Sequence, residues 1–498
     1  MGTWMGRGRI FRWTAFLACA LPACAVAEPA APTADPLQSI REAYQKKDCK
    51  AVLRKGRPMR DSGAKAPAGE DRMWLNSVIV ECAANDGDKA PMYQDALRAT
   101  AASPSTIYVW RTRFNYEINQ KDYDAALTTL ELEAQGHERA LNDLPIEYLD
   151  YIHRELDRAN DKAHDFRLIK LMSTAYHPTQ PFADIEGVRL IYARKLYDNG
   201  DKAAARDLIN ATQTFSGLME IMADPEFSAL QDPKVDLQLA AERQYVEDGI
   251  TLSEHPDSLQ GVIRVADDLR HLGRYQEAAA KLEGARARLA NPGSFVDQQY
   301  QLAWWWNDLA DTYISLGDYD RMVASFRGAI AVGEMGKPNV SQALNLSIQQ
   351  IRFGHHQDAL TTLATVPQGP GSLSPYGTMV YHYAHGCAAY RAGQKSEADQ
   401  DVAYVIAHET DAPGDTAGLL LCVGDLDRAA ASLIRQLENS EKKSGILWLL
   451  SDFRPNAPNV PEDLIRQRLP EIKKRADIRA AVAKAGGTQS YPFRYDDL

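Results

Sequence analysis

Apolar residues recur at spacings of three and four along most of the chain, and short polar stretches separate these runs. That spacing places the apolar side chains on one face of a helix. No segment alternates apolar and polar residues for long enough to indicate a sheet. Residues 106–114 have β-favouring side chains, but they lead into helical spacing at 115–120. The pattern predicts an all-α fold.

The polar stretches between the predicted helices repeat. Each has a turn residue followed five positions later by Ala or, once, Met. The turn residues are Lys121, Gly200, Gly273, Gly317, Gly354, Gly393 and Gly424. Weaker copies lie near Lys47, Gly87 and Asn160. The intervals indicate a period of about 37 residues, which is typical of stacked helical hairpins.

One such unit is a first helix, a turn, and a second helix that returns along the first with a small residue at the contact. A hairpin of this kind buries its apolar face by stacking on its neighbours. A chain of 498 residues therefore needs no single large core.

The units resemble tetratricopeptide repeats. The best copy matches the order of that family's consensus residues, and it departs from it by Met322 in place of Ala and by the lack of a final Pro. The matching residues are Trp306, Leu309, Ala310, Tyr313, Gly317, Tyr319, Phe326 and Ala329. The resemblance is specific over 255–440 and degenerate over 38–215. It implies a right-handed superhelical solenoid of helix-turn-helix hairpins.

The N-terminus has the layout of a secretory signal. Three arginines precede the apolar run 13–21, and Ala25 and Ala27 follow at the positions that a signal peptidase requires. We predict cleavage before Glu28 and a periplasmic or secreted protein. The alternative is a lipoprotein acylated at Cys24, with Pro22 an awkward residue for that motif.

The predicted organisation follows the chain in order. It comprises a signal peptide 1–27, a linker 28–37, degenerate repeats 38–212, an irregular helical connection 213–250, a repeat array 251–440, and a C-terminal helical cap with a tail 441–498. No segment outside the signal reaches the roughly 20 apolar residues that a transmembrane helix needs.

Charge limits the class of partner. The chain has 56 Lys+Arg and 67 Asp+Glu, and removal of 1–27 takes away three arginines and no acid, which changes the net charge from −11 to −14. General nucleic-acid binding is therefore not expected. The oligomeric state stays open.

The resemblance implies that the binding surface is a concave face lined by the first helices. The positions that line this face in the family correspond in this sequence to Arg194, Tyr197, Arg270, His271, Trp304, Asn307, Asp311, Arg352, Tyr390 and Arg391. Our hypothesis is a basic, aromatic stripe that docks a protein, peptide or polymer bearing carboxylates. In the alternative, these arginines pair with acids of adjacent helices and solvate the groove.

Four cysteines remain after cleavage. In the repeat frame, Cys49 starts a second helix and Cys82 ends the next first helix, which is adjacent and antiparallel. We predict a disulfide between them. A pairing of Cys387 with Cys422 is left open, since their parallel helices are offset by about one turn.

Enzyme motifs for nucleotide binding, serine hydrolysis and zinc proteolysis are absent from the sequence. The sequence therefore favours a non-catalytic scaffold without cofactor or metal. The alternative is a catalytic or metal-dependent site assembled across repeats around His382, His385 and Cys387. Two histidines at helical spacing without an acid are a weak signal for zinc, and core histidines are the preferred interpretation.

Overall fold

A computed structural model describes residues 35–497 except 36, 88, 102–104, 232–234, 334–338, 370 and 441. The predicted signal peptide, Cys24 and most of the predicted linker lie outside the described residues. The chain divides into two compact units, one up to Tyr116 and one from Glu117 onward.

The first unit consists of antiparallel helices around a small apolar core. Its helices are α1 Gln38–Gln45, α2 Cys49–Arg60, α3 Gly69–Asn85, α4 Lys89–Ala101 and α5 Ile107–Asn119, whose last turn belongs to the second unit. Val52, Leu75 and Ile79 are fully buried between α2 and α3. The two helices are joined by a disulfide between Cys49 and Cys82, with their Cα atoms 4.9 Å apart.

The second unit is a succession of helical hairpins followed by a C-terminal segment. Its helices are α6 Tyr123–Ala134, α7 Glu138–Asn142, α8 Ile146–Arg158, α9 Lys162–Thr174, α10 Glu186–Asp198, α11 Lys202–Ala211, α12 Phe215–Ala223, α13 Pro225–Ser228, α14 Leu237–Glu254, α15 Leu259–His271, α16 Tyr275–Leu289, α17 Gln298–Leu316, α18 Tyr319–Val332, α19 Val340–Arg352, α20 His356–Leu363, α21 Pro375–Arg391, α22 Lys395–Ala407, α23 Pro413–Val423, α24 Leu426–Glu438, α25 Lys443–Leu450, α26 Leu469–Ile472 and α27 Ala476–Ala485.

The turns of the hairpins confirm the repeat predicted from the sequence. All ten turn positions named above, from Lys47 to Gly424, adopt positive φ. This left-handed conformation suits Gly, which has no Cβ to clash. In six turns the next residue is an Asp whose carboxylate caps the second helix, as Asp318 does by accepting from the amide of Arg321. A left-handed residue followed by an N-cap therefore forms the local signal for each hairpin.

The regular hairpins lie between α15 and α24 and pair α15 with α16, α17 with α18, α19 with α20, α21 with α22 and α23 with α24. Their core consists of two adjoining clusters, one from Leu259 to Leu346 and one from Ala343 onward, and Ile330 packs against both. Within the described part of the chain, pairing of the strand type is confined to an isolated bridge between Asp452 and Ser490. The all-α prediction is confirmed. None of the described helices is both long and apolar enough to cross a membrane.

The three consecutive tryptophans of α17 have different environments. Trp305 is fully buried and donates its indole N–H to the Leu282 carbonyl, at 3.1 Å. Trp306 occupies the position that the family's consensus places in the core, but it is only half-buried. Its ring packs against α18, where a Cβ added at Gly328 would lie 2.6 Å from it. Trp304 is 56% exposed. The helical spacing of about 100° per residue separates the three rings in this way.

Candidate functional site

The residues predicted for the groove all lie on first helices. Arg194 and Tyr197 belong to α10, Arg270 and His271 end α15, Trp304, Asn307 and Asp311 lie along α17, Arg352 ends α19, and Tyr390 and Arg391 end α21. The arginines at the helix ends and the aromatic residues of α17 have different surroundings.

Arg352 is buried by the chain's own C-terminus. Its guanidinium donates to the Pro461 carbonyl at 2.9 and 2.5 Å and to the Asp496 carboxylate at 2.5 Å. Asn456 donates to the same carboxylate at 2.7 Å. Only 3% of the Arg352 side chain is exposed. A carboxylate does bind at this arginine, and it comes from the same chain.

The residues that supply these contacts belong to the C-terminal segment, which we define as residues 451–497. The segment follows the ends of successive first helices in their own order. Asn459 donates to the Leu316 carbonyl at the end of α17, at 2.8 Å. Pro461 accepts from Arg352 on α19, and Arg391 on α21 donates to Gln467 at 2.7 Å. The C-terminal segment therefore ties three neighbouring hairpins together.

The last residues of the C-terminal segment return to the α15 and α17 hairpins. Arg494 lies 4.0 Å above the Tyr275 ring, donates to the Ser315 carbonyl at 3.3 Å, and pairs with Asp497 at 2.8 Å. Tyr275 donates its hydroxyl to Asp497 at 2.7 Å. Burial and this hydrogen bond raise the pKa of Tyr275, which keeps the donor protonated.

Arg270 is surrounded by acids of its own and the next hairpin. It donates to Asp267 at 2.6 Å and lies 3.8 Å from Asp308. Burial raises the pKa of Asp308 well above its ordinary value, and burial raises that of Asp311 to about 6. The acids of this cluster outnumber the single arginine, so the cluster does not present positive charge.

Arg194 is bound in the same way near the start of the second unit. Its guanidinium pairs with Asp224 and, at 2.5 Å, with Glu226. It also lies over the rings of Phe227 and Tyr197, at 4.2 and 5.3 Å.

Three of the four predicted arginines therefore pair with acids of the same chain. The alternative interpretation expected acids of adjacent helices, whereas Arg270 donates to Asp267 of its own helix and the acid at Arg352 belongs to the C-terminal segment. Arg391 donates a hydrogen bond to the neutral Gln467 side chain and forms no ion pair among the described residues.

Of the predicted aromatic residues, Trp304 and Tyr390 stay exposed, whereas Tyr197 lies under Arg194. Tyr300 and Trp304 are each 56% exposed and lie one turn apart on α17. Beside them, Asn345 on α19 donates to Asn307 at 3.3 Å, and Asn307 donates to Asp311 at 2.7 Å. Tyr300 and Asn345 are not among the residues predicted from the sequence. The spacing of four between Tyr300 and Trp304 could have identified the first of them.

His382 and His385 share an acid, Asp401, that was not predicted from the sequence. The Nδ1 atom of His382 lies 2.7 Å from Oδ1 of Asp401, and the Nδ1 atom of His385 lies 2.7 Å from Oδ2 of the same residue. Cys387 is joined to Cys422 in a disulfide, so its sulfur is not available as a thiolate ligand. Within the described residues, no group of three His, Cys, Asp or Glu side chains is placed to hold a metal ion.

No protein-family model and no curated protein matches the sequence. Similar chains are found among the solved structures. The chain is 11% identical to a chain in the crystal structure of the APC/C hetero-tetramer Cut9-Hcn1, covering 90% of this chain and 95% of that one with a TM-score of 0.29. It is 14% identical to a circular tandem repeat protein with novel repeat topology, covering 91% and 90% with a TM-score of 0.13. The chain is an all-α helical-hairpin repeat protein, and its hairpins and turns resemble tetratricopeptide repeats.

Proposed function

We propose that this chain is a non-catalytic scaffold, exported to the periplasm or secreted, that binds a segment of a protein, peptide or polymer along α17 and α19. The observation that carries the proposal is the exposed pair Tyr300 and Trp304 beside the amides of Asn307 and Asn345. Export rests on the signal layout of residues 1–27 in the sequence.

Tyrosine and tryptophan supply large contact areas at low cost in side-chain entropy, and they are enriched among residues that dominate binding energy. Asparagine amides supply both a donor and an acceptor, which suits the backbone of an extended partner. The open surface around Trp304 therefore has anchors for side chains and polar groups for a main chain.

Charge favours a neutral or basic partner over the acidic one expected from the sequence. Asp267, Asp308 and Asp311 surround Arg270, and Arg352 already holds Asp496. An acidic partner would have to displace Asp496 from a buried site.

The test is crosslinking from this surface in the intact exported protein. A photoreactive residue at position 341, which is exposed one turn before Asn345 on α19, should trap a partner, and Tyr300→Ala should reduce that trapping at least tenfold. A Tyr151→Ala variant is the matched control, because Tyr151 is also exposed but lies on α8. Equal trapping by the Tyr300 and Tyr151 variants would argue against this surface. Cell fractionation and N-terminal sequencing from Glu28 test export separately.

A further inference from the structure

A cavity of about 450 Å³ lies where α12, the end of α15 and α25 meet. Its apolar walls are Phe215, Met219 and Trp448, and His271 also lines it. Its size lies within the range of small-molecule sites in proteins. Unlike the surface around Trp304, it is concave and formed mainly by apolar side chains.

The aromatic walls are held in place from behind. Phe215 packs against Phe493 and against the His271 ring, with centroids 5.0 and 4.8 Å apart. Trp448 packs against Tyr495 and Phe453 of the C-terminal segment, at 4.7 and 5.5 Å. The walls are therefore preformed, which lowers the ordering cost of binding.

One carboxylate in the lining lacks a counterion. Glu220 lines the cavity with its side chain exposed to solvent, and it makes no hydrogen bond or ion pair within the described part of the chain. Partial desolvation by the lining and the nearby Asp224 raise its pKa. Cations of the neighbourhood are already engaged, since Arg194 holds Asp224 and Lys443 holds Glu226 at 3.0 Å.

The histidine does not oppose a cation in this cavity. Burial, together with the neighbouring Arg270, lowers the pKa of His271 to about 4, so its ring is neutral near pH 7. Aromatic faces attract cations through the ring quadrupole, and a carboxylate adds direct charge attraction. Ser444, whose hydroxyl donates to Asp224 at 2.9 Å, adds no positive charge.

We propose that this cavity binds a small organic cation, with its apolar body between Phe215, Met219 and Trp448 and its ammonium group paired with Glu220. The site is separate from the surface proposed for the macromolecular partner, and the two proposals stand or fall independently. The preferred ligand is a monocation with an aromatic or branched apolar body, because the lining offers one uncompensated carboxylate and three apolar walls.

Isothermal titration calorimetry of the full mature chain tests the ligand class. The probes are phenethylammonium, the neutral phenethyl alcohol, and the anion 3-phenylpropionate. We expect saturable binding of the ammonium probe at least tenfold tighter than that of the alcohol, and no binding of the anion. Equal affinity for the alcohol, tighter binding of the anion, or no binding of any probe would overturn the proposal.

Two variants locate the site. Glu220→Gln should abolish the preference for the ammonium probe over the alcohol, whereas Glu242→Gln, at an exposed glutamate on α14, should retain it. Ala223→Phe should fill the cavity and remove binding of both probes. Thermal melting confirms that each variant is folded. A folded Glu220→Gln protein that keeps the tenfold preference contradicts the proposal.

Discussion

Arg352 at the end of α19 is bonded to Asp496, which lies 144 residues further along the chain, and 3% and 6% of the two side chains are exposed. A carboxylate of the chain itself therefore occupies the arginine that was predicted to bind a carboxylate of the partner. Burial of both charges makes each depend on the other, because an unpaired charge at this depth would lack both water and a partner.

The first prediction concerns this ion pair. Asp496→Ala should lower the free energy of unfolding by about 3 kcal/mol, since it leaves the Arg352 guanidinium buried without its carboxylate. Urea denaturation provides the measurement. Asp399→Ala is the matched control, because Asp399 pairs with Lys395 at an exposed site and should cost about 0.5 kcal/mol or less. Equal losses for the two variants would show that the Arg352 pair is not buried in solution.

The second prediction compares two turn glycines with the same left-handed conformation. A Cβ at Gly317 would lie 2.7 Å from the Asn459 carbonyl oxygen, whereas a Cβ at Gly354 meets nothing within 4 Å. Both Ala variants should lose about 1 kcal/mol through backbone strain. Gly317→Ala should lose more, because it also displaces the C-terminal segment. Thermal melting compares the two variants, and a Gly354 variant as unstable as the Gly317 variant would contradict the docking of that segment.

The third prediction concerns the disulfides. Non-reducing digestion of the exported protein should yield linked peptides containing Cys49 with Cys82 and Cys387 with Cys422. Replacing Cys49 and Cys82 together by Ser should destabilise the first unit by about 3 kcal/mol, because the bond closes a loop of 33 residues. Alkylation of the unreduced protein is the control. Alkylated thiols at these positions after export would refute the pairing.

The fourth prediction is a pH dependence from the cluster of His382, His385 and Asp401. The hydrogen bond to Asp401 raises the pKa of His385, so its contribution to stability is present at low pH and is lost as the pH rises through the folded-state value. Both histidines lower the pKa of Asp401 against the effect of burial, so the contribution of Asp401 is lost as the pH falls. Stabilisation is therefore greatest at mildly acidic pH.

His385→Gln should accordingly lose more unfolding free energy at about pH 5.5 than at about pH 8.5. Urea denaturation at the two pH values measures this difference. His355→Gln is the control, since the His355 side chain is 44% exposed and lies in a turn. A loss that is the same at both pH values would show that His385 contributes packing without charge.

The sequence by itself determined the helices, the turns and their order. These depend on local physics: apolar spacing selects a buried helix face, a left-handed residue such as Gly317 reverses the chain, and Asp318 caps the helix that follows. Each signal is complete within a few residues. The interpretation as a helical repeat array therefore needed no knowledge of contacts between distant parts of the chain.

Only the tertiary structure decided which predicted residues are open. Arg352 is buried by Asp496 and Pro461, which lie more than 100 residues away in the chain, whereas Trp304 stays exposed on α17. The cavity beside Glu220 likewise depends on α12, α15 and α25, which are far apart in sequence. Periodicity reports the face on which a side chain lies, but burial and charge compensation depend on what packs against that face.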